Sequence, residues 1–310
     1  MPADLVPPVP GTGTWPERWI HGHRPGQPDR DPPIQVHWYD EHTVILRQSL
    51  ATDYEGPFLV LLFGSERALL WDTGATADPA RFPLRPTVDG LVGGWLEAHP
   101  RSDYGLVIAH SHAHGDHVAG DGQFTDRAST TVVGHGVDDV RTFFGLDDWP
   151  SQVATFDLGQ RVLEVTGIPG HHAASIAIHD PWTGILLTGD TVYPGRLYVQ
   201  DMPAFVDSLE RLVALAEARG VREVVGCHIE LRATPGHDHP LGFAYHPDEP
   251  PLAMSLDQLR AVRDGVRAVA RRPGVHVLDD AIIWHGHPTR ALLAQLGRAW
   301  AARIRYRLRA

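Results

Sequence analysis

Apolar runs set the first outline of the chain. In residues 58–74, FLVLLFGSERALLWDTG, two such runs flank a turn at Gly64–Glu66 and predict a pair of strands. Residues 34–50 alternate apolar and polar positions, the period of a strand or hairpin, and 104–112 (YGLVIAHSH) starts as a continuous apolar run, the pattern of a strand buried on both faces. More strands are predicted at 129–135, 161–168, 175–180, 184–190 and 221–228, with a strand pair at 275–286. Helical patterns occupy 88–100, stopped by Pro100, and 201–220, stopped by Gly220. They recur at 255–274, opened by Ser255 and closed by Pro273-Gly274, and near 289–308. Interspersed strands and helices predict one α/β domain over 34–310. An irregular Pro/Gly/Trp-rich arm at 1–33 precedes it, and a loop insertion lies near 229–254.

Composition narrows the class. A net charge of −11, from 38 acidic and 27 basic side chains, runs against the basic surface of a nucleic-acid binder, so none is expected as a partner. The single cysteine, Cys227, excludes an internal disulfide and fits a reducing compartment. The N-terminus lacks a basic start followed by an apolar core, and no run approaches 18 apolar residues. The expectation is a cytoplasmic protein with a small-molecule substrate and no membrane contact.

Twenty histidines change the picture. AHSHAHGDHVAG (109–120) places four of them and an aspartate in eight residues, where a buried strand gives way to a glycine-permitted curl. Alternation puts His110 and His112 on one side of the strand. A loop curling beyond can aim His112, His114, Asp116 and His117 at one volume. Imidazole nitrogen and carboxylate oxygen are the ligands that a borderline cation such as Zn²⁺ prefers. Ligand types recur where later strands end: His171 in GIPGHH, Asp190 in LLTGD and His228 in VVGCH.

The ordered set His112-x-His114-x-Asp116-His117, Pro169-Gly170-His171, Gly189-Asp190 and His228 resembles the metallo-β-lactamase superfamily. LLWDTG (69–74) resembles its upstream segment. The intervals, 57 residues from His114 to His171, 19 more to Asp190 and 38 more to His228, are similar to those of the glyoxalase II and N-acyl-homoserine lactonase branches. The resemblance implies a four-layer αββα sandwich with two divalent metals, zinc first and iron or manganese as alternatives. His112, His114 and His171 would hold one metal, Asp116, His117 and His228 the other, with Asp190 bridging. Asp72 would orient ligands through hydrogen bonds.

Other residues carry weaker expectations. His110 is taken as buried beside the ligands and His172 as a wall of the pocket. His237, His239, His285 and His287 compete with His228 for the last ligand position. Cys227, one residue before a ligand on a strand, is expected to face away from the site. Tyr193 is either a catalytic hydroxyl serving the oxyanion or an aromatic packed under the loop. Arg196 and Tyr198 are candidate pocket residues. Trp15, Trp19 and His21–His23 form either a lid or a homodimer contact.

The implied activity is attack of a metal-bridging hydroxide on an ester-like carbonyl in a lactone, thioester or small ester, with Asp116 orienting the nucleophile. An iron-dependent persulfide dioxygenase and a phosphodiesterase acting on a small substrate are the alternatives.

Overall fold

The computed structural model describes residues 5–286 and 288–307. Residues 5–33 run without a helix or a named strand. The elements then follow in order: β1 (Ile34–Asp40), β2 (Thr43–Gln48), β3 (Phe58–Phe63), β4 (Arg67–Trp71), α1 (Leu84–Ala98), β5 (Gly105–Ala109), α2 (Gly115–Val118), β6 (Thr130–Val132) and α3 (Val137–Phe144). Next come β7 (Val153–Asp157), β8 (Val162–Gly167), β9 (Ile176–Asp180), β10 (Ile185–Gly189), β11 (Arg196–Val199), α4 (Met202–Arg219) and β12 (Glu223–Gly226). The chain closes with β13 (Ala253–Met254), α5 (Leu256–Val269), β14 (Gly274–Val277), β15 (Ile282–His285) and α6 (Thr289–Arg307).

Two six-stranded sheets, in the orders β1-β2-β3-β4-β5-β6 and β13-β12-β10-β9-β8-β7, stack face to face. Alternate residues of each strand bury in different places, which shows the layering. Val60, Leu62, Leu69 and Val107 of the first sheet pack with Val165, Ile178, Leu187 and Val225 of the second. The opposite faces of the first sheet, including Leu59, Leu61, Leu70 and Ile108, pack under Val88, Val92 and Trp95 of α1. Ala177, Leu186 and Val224 of the second sheet pack under Leu209 and Leu212 of α4 and Val262 and Val266 of α5. The result is the expected four-layer αββα sandwich. Strands covered on both faces explain the near-continuous apolar runs of β3 and β10.

Helix ends follow their sequence signals. Ser255 Oγ accepts from Gln258 N at 3.2 Å while Gln258 Oε1 accepts from Ser255 N at 2.7 Å, a capping box that opens α5. Gly220, with φ 63°, closes α4. Four elements lack a clear signal in the sequence: α3, β7, β13 and β11. The last pairs with β15 and β14 in a third, three-stranded sheet.

Topology delivers the site. β4 and β5 run parallel in one sheet, and β10 and β12 run parallel in the other. β8 shares the direction of β10, because each is antiparallel to β9. The segments that follow β5, β8, β10 and β12 hold His112–His117, His171, Asp190 and His228 respectively, with Asp72 directly after β4. Ligands gather outside carboxyl ends of parallel strands for this reason in open α/β sheets. The two sheets meet closely there: Ile176 N donates to Ser111 O at 3.0 Å and Phe58 N donates to Cys227 O at 2.7 Å. Gly189 permits the approach. Its φ is 53°, and a Cβ on it would lie 2.5 Å from Ser111 Cβ.

Candidate metal centre

The structure brings all seven proposed ligands together in two adjoining groups. In the first, His112 Nε2, His114 Nδ1 and His171 Nε2 form a triangle with sides of 2.8, 3.1 and 3.2 Å. In the second, Asp116 Oδ2 lies 3.3 Å from His117 Nε2 and 3.4 Å from His228 Nε2. Asp190 stands between them. Its Oδ2 is 3.5 Å from His117 Nε2, 3.7 Å from His171 Nε2 and 4.0 Å from His112 Nε2, while its Oδ1 is 3.3 Å from His228 Nε2.

The partners of the remaining ring nitrogens set the tautomers, an assignment made from the hydrogen-bond network. His171 Nδ1 donates to Tyr198 O at 2.8 Å, and His228 Nδ1 donates to Glu55 O at 3.0 Å. His117 Nδ1 donates to Asp72 Oδ2 at 2.9 Å. The Ser111 hydroxyl donates to Asp72 Oδ2 at 2.9 Å, leaving its lone pairs for His112 Nδ1 at 3.0 Å. Each of these imidazoles therefore turns its Nε2 inward, the atom that a metal binds once that nitrogen gives up its proton.

Electrostatics divides the two groups. Burial, helped by His117, pushes His112 down, and burial pushes His171 down to about 4. In the second group burial acts in the same direction, but the neighbouring carboxylates win. Asp190 and Asp116 lift His228 to about 10, and Asp190, Asp72 and Asp116 lift His117 well above its ordinary value. Burial opposes the charge on Asp190, yet His228 and His117 hold its carboxyl well below the usual range. Asp190 Oδ1 is also buried without a hydrogen-bond partner. An unpartnered buried carboxylate oxygen among inward-facing nitrogens is a donor set that fits divalent cations.

The remaining expectations fare unevenly. Asp72 sits beneath the ligands, fully buried, and also accepts from Ser111 N at 2.7 Å. Cys227 is buried, but its thiol turns toward the site and lies 3.1 Å from Asp72 Oδ2, a correction to the face expected of it. His110 lies 2.8 Å from Asp121 Oδ1, outside the seven, and His135 lies 2.8 Å from Asp121 Oδ2. The His172 ring stands 5.1 Å from that of His114, at the edge of the first group.

Tyr193 packs beside the second group with its hydroxyl already engaged. Its ring lies 5.6 Å from that of His228, but its hydroxyl donates to Arg196 O and contacts Glu230 Oε2 at 3.1 Å. Arg196 is likewise not free to line a pocket. Its guanidinium is buried against Glu230 and Asp238 and donates to Tyr198 Oη at 3.1 Å.

The competing histidines lie elsewhere. His239 stacks on His246 at 4.2 Å, His237 Nδ1 faces Pro235 O and His285 Nδ1 faces Arg272 O. His287 lies outside the described residues. The described part of the arm packs against the sandwich and the insertion. Trp19 packs on Phe58 at 5.0 Å within the inter-sheet core, Trp15 donates to Glu223 Oε1 at 2.8 Å, and Gly22 bridges to Tyr245 of the insertion.

Three residues near the centre escaped the sequence reading. Gln200 Nε2 lies 3.4 Å from His114 Nε2. Glu55 contributes the carbonyl under His228, and burial pushes its own carboxyl up to about 7. Glu230, two positions past His228 in GCHIE, anchors Tyr193 and Arg196, and its nearness to a ligand was the available signal.

A family profile described as the metallo-beta-lactamase superfamily matches residues 56–228, which span every proposed ligand. The chain belongs to that superfamily. Among similar proteins of this superfamily chain, a hydroxyacylglutathione hydrolase of Rhizobium meliloti is 30% identical over 149 residues, covering 47% of this chain and 55% of that protein. One from Nostoc punctiforme is 29% identical over 182 residues, covering 56% and 64%. The chain thus spans less than two thirds of the length of either relative. A solved metallo-beta-lactamase from Erythrobacter litoralis aligns over 77% of this chain and 98% of its own, with TM-score 0.50 and 16% identity, a likeness of fold.

Proposed function

We propose that this superfamily member is a metal-dependent hydrolase that cleaves a carbonyl ester-like bond in a lactone, thioester or small ester. The observation that carries the reading is the position of Asp190, one carboxylate within 3.5–4.0 Å of imidazole nitrogens from both ligand groups. His112, His114 and His171 would hold one divalent cation and Asp116, His117 and His228 a second, with Asp190 shared. Zinc suits these donors best, and iron or manganese would also be accepted. Two such cations polarise a carbonyl oxygen and make hydroxide available at neutral pH.

The chain's own groups do the rest. Asp116 is the part-exposed carboxylate of the set, so it can orient the attacking water and take its proton. His172 Nδ1 accepts from Ala174 N at 3.1 Å, which places the ring proton on Nε2 as a donor beside the first group. The sheet edge fixes the ligands before substrate arrives. The relatives named hydroxyacylglutathione hydrolase favour a thioester within the proposed set.

The test is metal analysis of the purified protein followed by a panel of lactones, thioesters and phosphodiesters, with oxygen uptake on a persulfide run in parallel. Two metals per chain, chelator-sensitive hydrolysis of a carbonyl substrate and loss of both metal and turnover in His114→Ala are expected. Oxygen uptake without hydrolysis, or unchanged metal content in His114→Ala, would overturn the reading.

A further inference from the structure

The segments around the centre carry an unusual charge balance. They are 49–57, which supplies the carbonyl under His228; 110–121; 168–175; 190–201; and 227–231. Together these segments hold seven Asp and Glu side chains and one Arg or Lys, Arg196. Besides the carboxylates of the ligand loop and Asp190, they carry Asp53, Glu55, Asp201 and Glu230. The single guanidinium is spent. Arg196 is buried, donates to Glu230 Oε1 and Asp238 Oδ2, and also donates to His239 O at 2.8 Å. Of the flanking cations, Arg81 donates to Thr52 O at 2.6 Å and Arg232, one residue past the last segment, faces Asp248 Oδ1 at 3.5 Å. The whole chain contains no lysine.

Two divalent cations would not reverse this balance. Their four charges and Arg196 together fall short of seven carboxylates. Within these segments an anionic substrate would find the metals but no basic side chain free of a carboxylate to hold its distal charges, inside a field of the same sign as its own.

We infer that the site selects acyl substrates whose leaving group carries no negative charge and discriminates against anionic peptide thiols such as glutathione. This rests on the hydrolase reading above and adds the substrate class. Loop composition carries it: the donors that remain at the rim, His172 Nε2 and the Gln200 amide, are neutral groups suited to carbonyl oxygens.

The experiment compares one acyl group on two thiols, N-acetylcysteamine and glutathione, using metal-loaded full-length protein at low and high salt. The neutral thioester should have a kcat/KM at least tenfold higher, and the gap should narrow as salt screens the field. Ala173→Arg adds a cation at an exposed position beside the first group. It should raise kcat/KM for the glutathione thioester severalfold at low salt and leave the neutral thioester within twofold. Equal or faster hydrolysis of the glutathione thioester, without salt dependence, would overturn the inference while leaving the hydrolase reading intact. Hydrolysis of neither thioester, nor of a lactone, would sink both.

Discussion

His117 Nδ1 meets Asp72 Oδ2 at 2.9 Å, and neither side chain is exposed to solvent. Asp72 holds a left-handed backbone conformation, φ 66°, which few residues other than Gly, Asn and Asp adopt cheaply. From there its carboxylate gathers the backbone N–H and hydroxyl of Ser111 and the thiol of Cys227 as well as His117. Asp72→Asn keeps the backbone and the shape but weakens the acceptor that holds the His117 proton on Nδ1. Metal affinity should fall by about 10–100-fold with little change in circular dichroism. Competition with a chelator of known affinity measures it, and an unchanged dissociation constant would show that Asp72 only packs.

Tyr193→Phe tests the other polar group packed under the centre. The hydroxyl serves Arg196 O and Glu230, both buried, so its loss should cost about 1–3 kcal/mol of stability. Because the hydroxyl is turned to those partners, kcat should stay within twofold of wild type. A fall of a hundredfold in kcat at unchanged metal content would restore a catalytic role.

These two residues mark what the sequence discloses. Asp72 and the seven proposed ligands each follow the end of an apolar strand, so the strand pattern and the residue type together pointed to them. The direction of Tyr193 depends on Glu230, 37 residues later, and on a third sheet whose strand Arg196–Val199 is four residues long and follows Pro194-Gly195. No local period reports such a partner. The carbonyl under His228 comes from Glu55, 173 residues away, and a carbonyl belongs to every residue type. The tryptophans of the arm look like exposed aromatics in sequence, and only the packing of Trp19 on Phe58 shows that they complete the inter-sheet core.

His172→Ala should separate binding from chemistry. Ala174 N donates to His172 Nδ1, so the ring presents its Nε2 proton with its centre 5.1 Å from that of His114. Removing this donor should lower kcat by about 100–1000-fold, the range of a lost oxyanion donor, while metal content stays at the wild-type value. His172→Gln retains an N–H and should recover most of the rate. If both variants lose metal, the ring supports the first group instead.

Arg161 and Asp180 tie the two sheets together from inside. The guanidinium donates through Nη2 to Asp180 Oδ2 at 2.6 Å in the second sheet, and through Nη1 to His42 O at 2.6 Å and Phe63 O at 3.1 Å on the first. Burial alone would raise the Asp180 carboxyl, but Arg161, with help from Thr183, holds it below the ordinary range. A folded pKa below the unfolded one means that the pair's stabilisation is complete above the unfolded value, about 3.9, and is lost as pH falls through the folded value. Asp180→Asn strands a buried guanidinium and should cost about 3–5 kcal/mol at pH 7. The difference between variant and wild type should shrink as pH drops below the ordinary carboxylate pKa, because the wild type then loses the same charge. Urea unfolding of both proteins between pH 7 and pH 3 measures this. A difference that stays constant with pH would mean that the ion pair, despite its position, does not contribute through its charge.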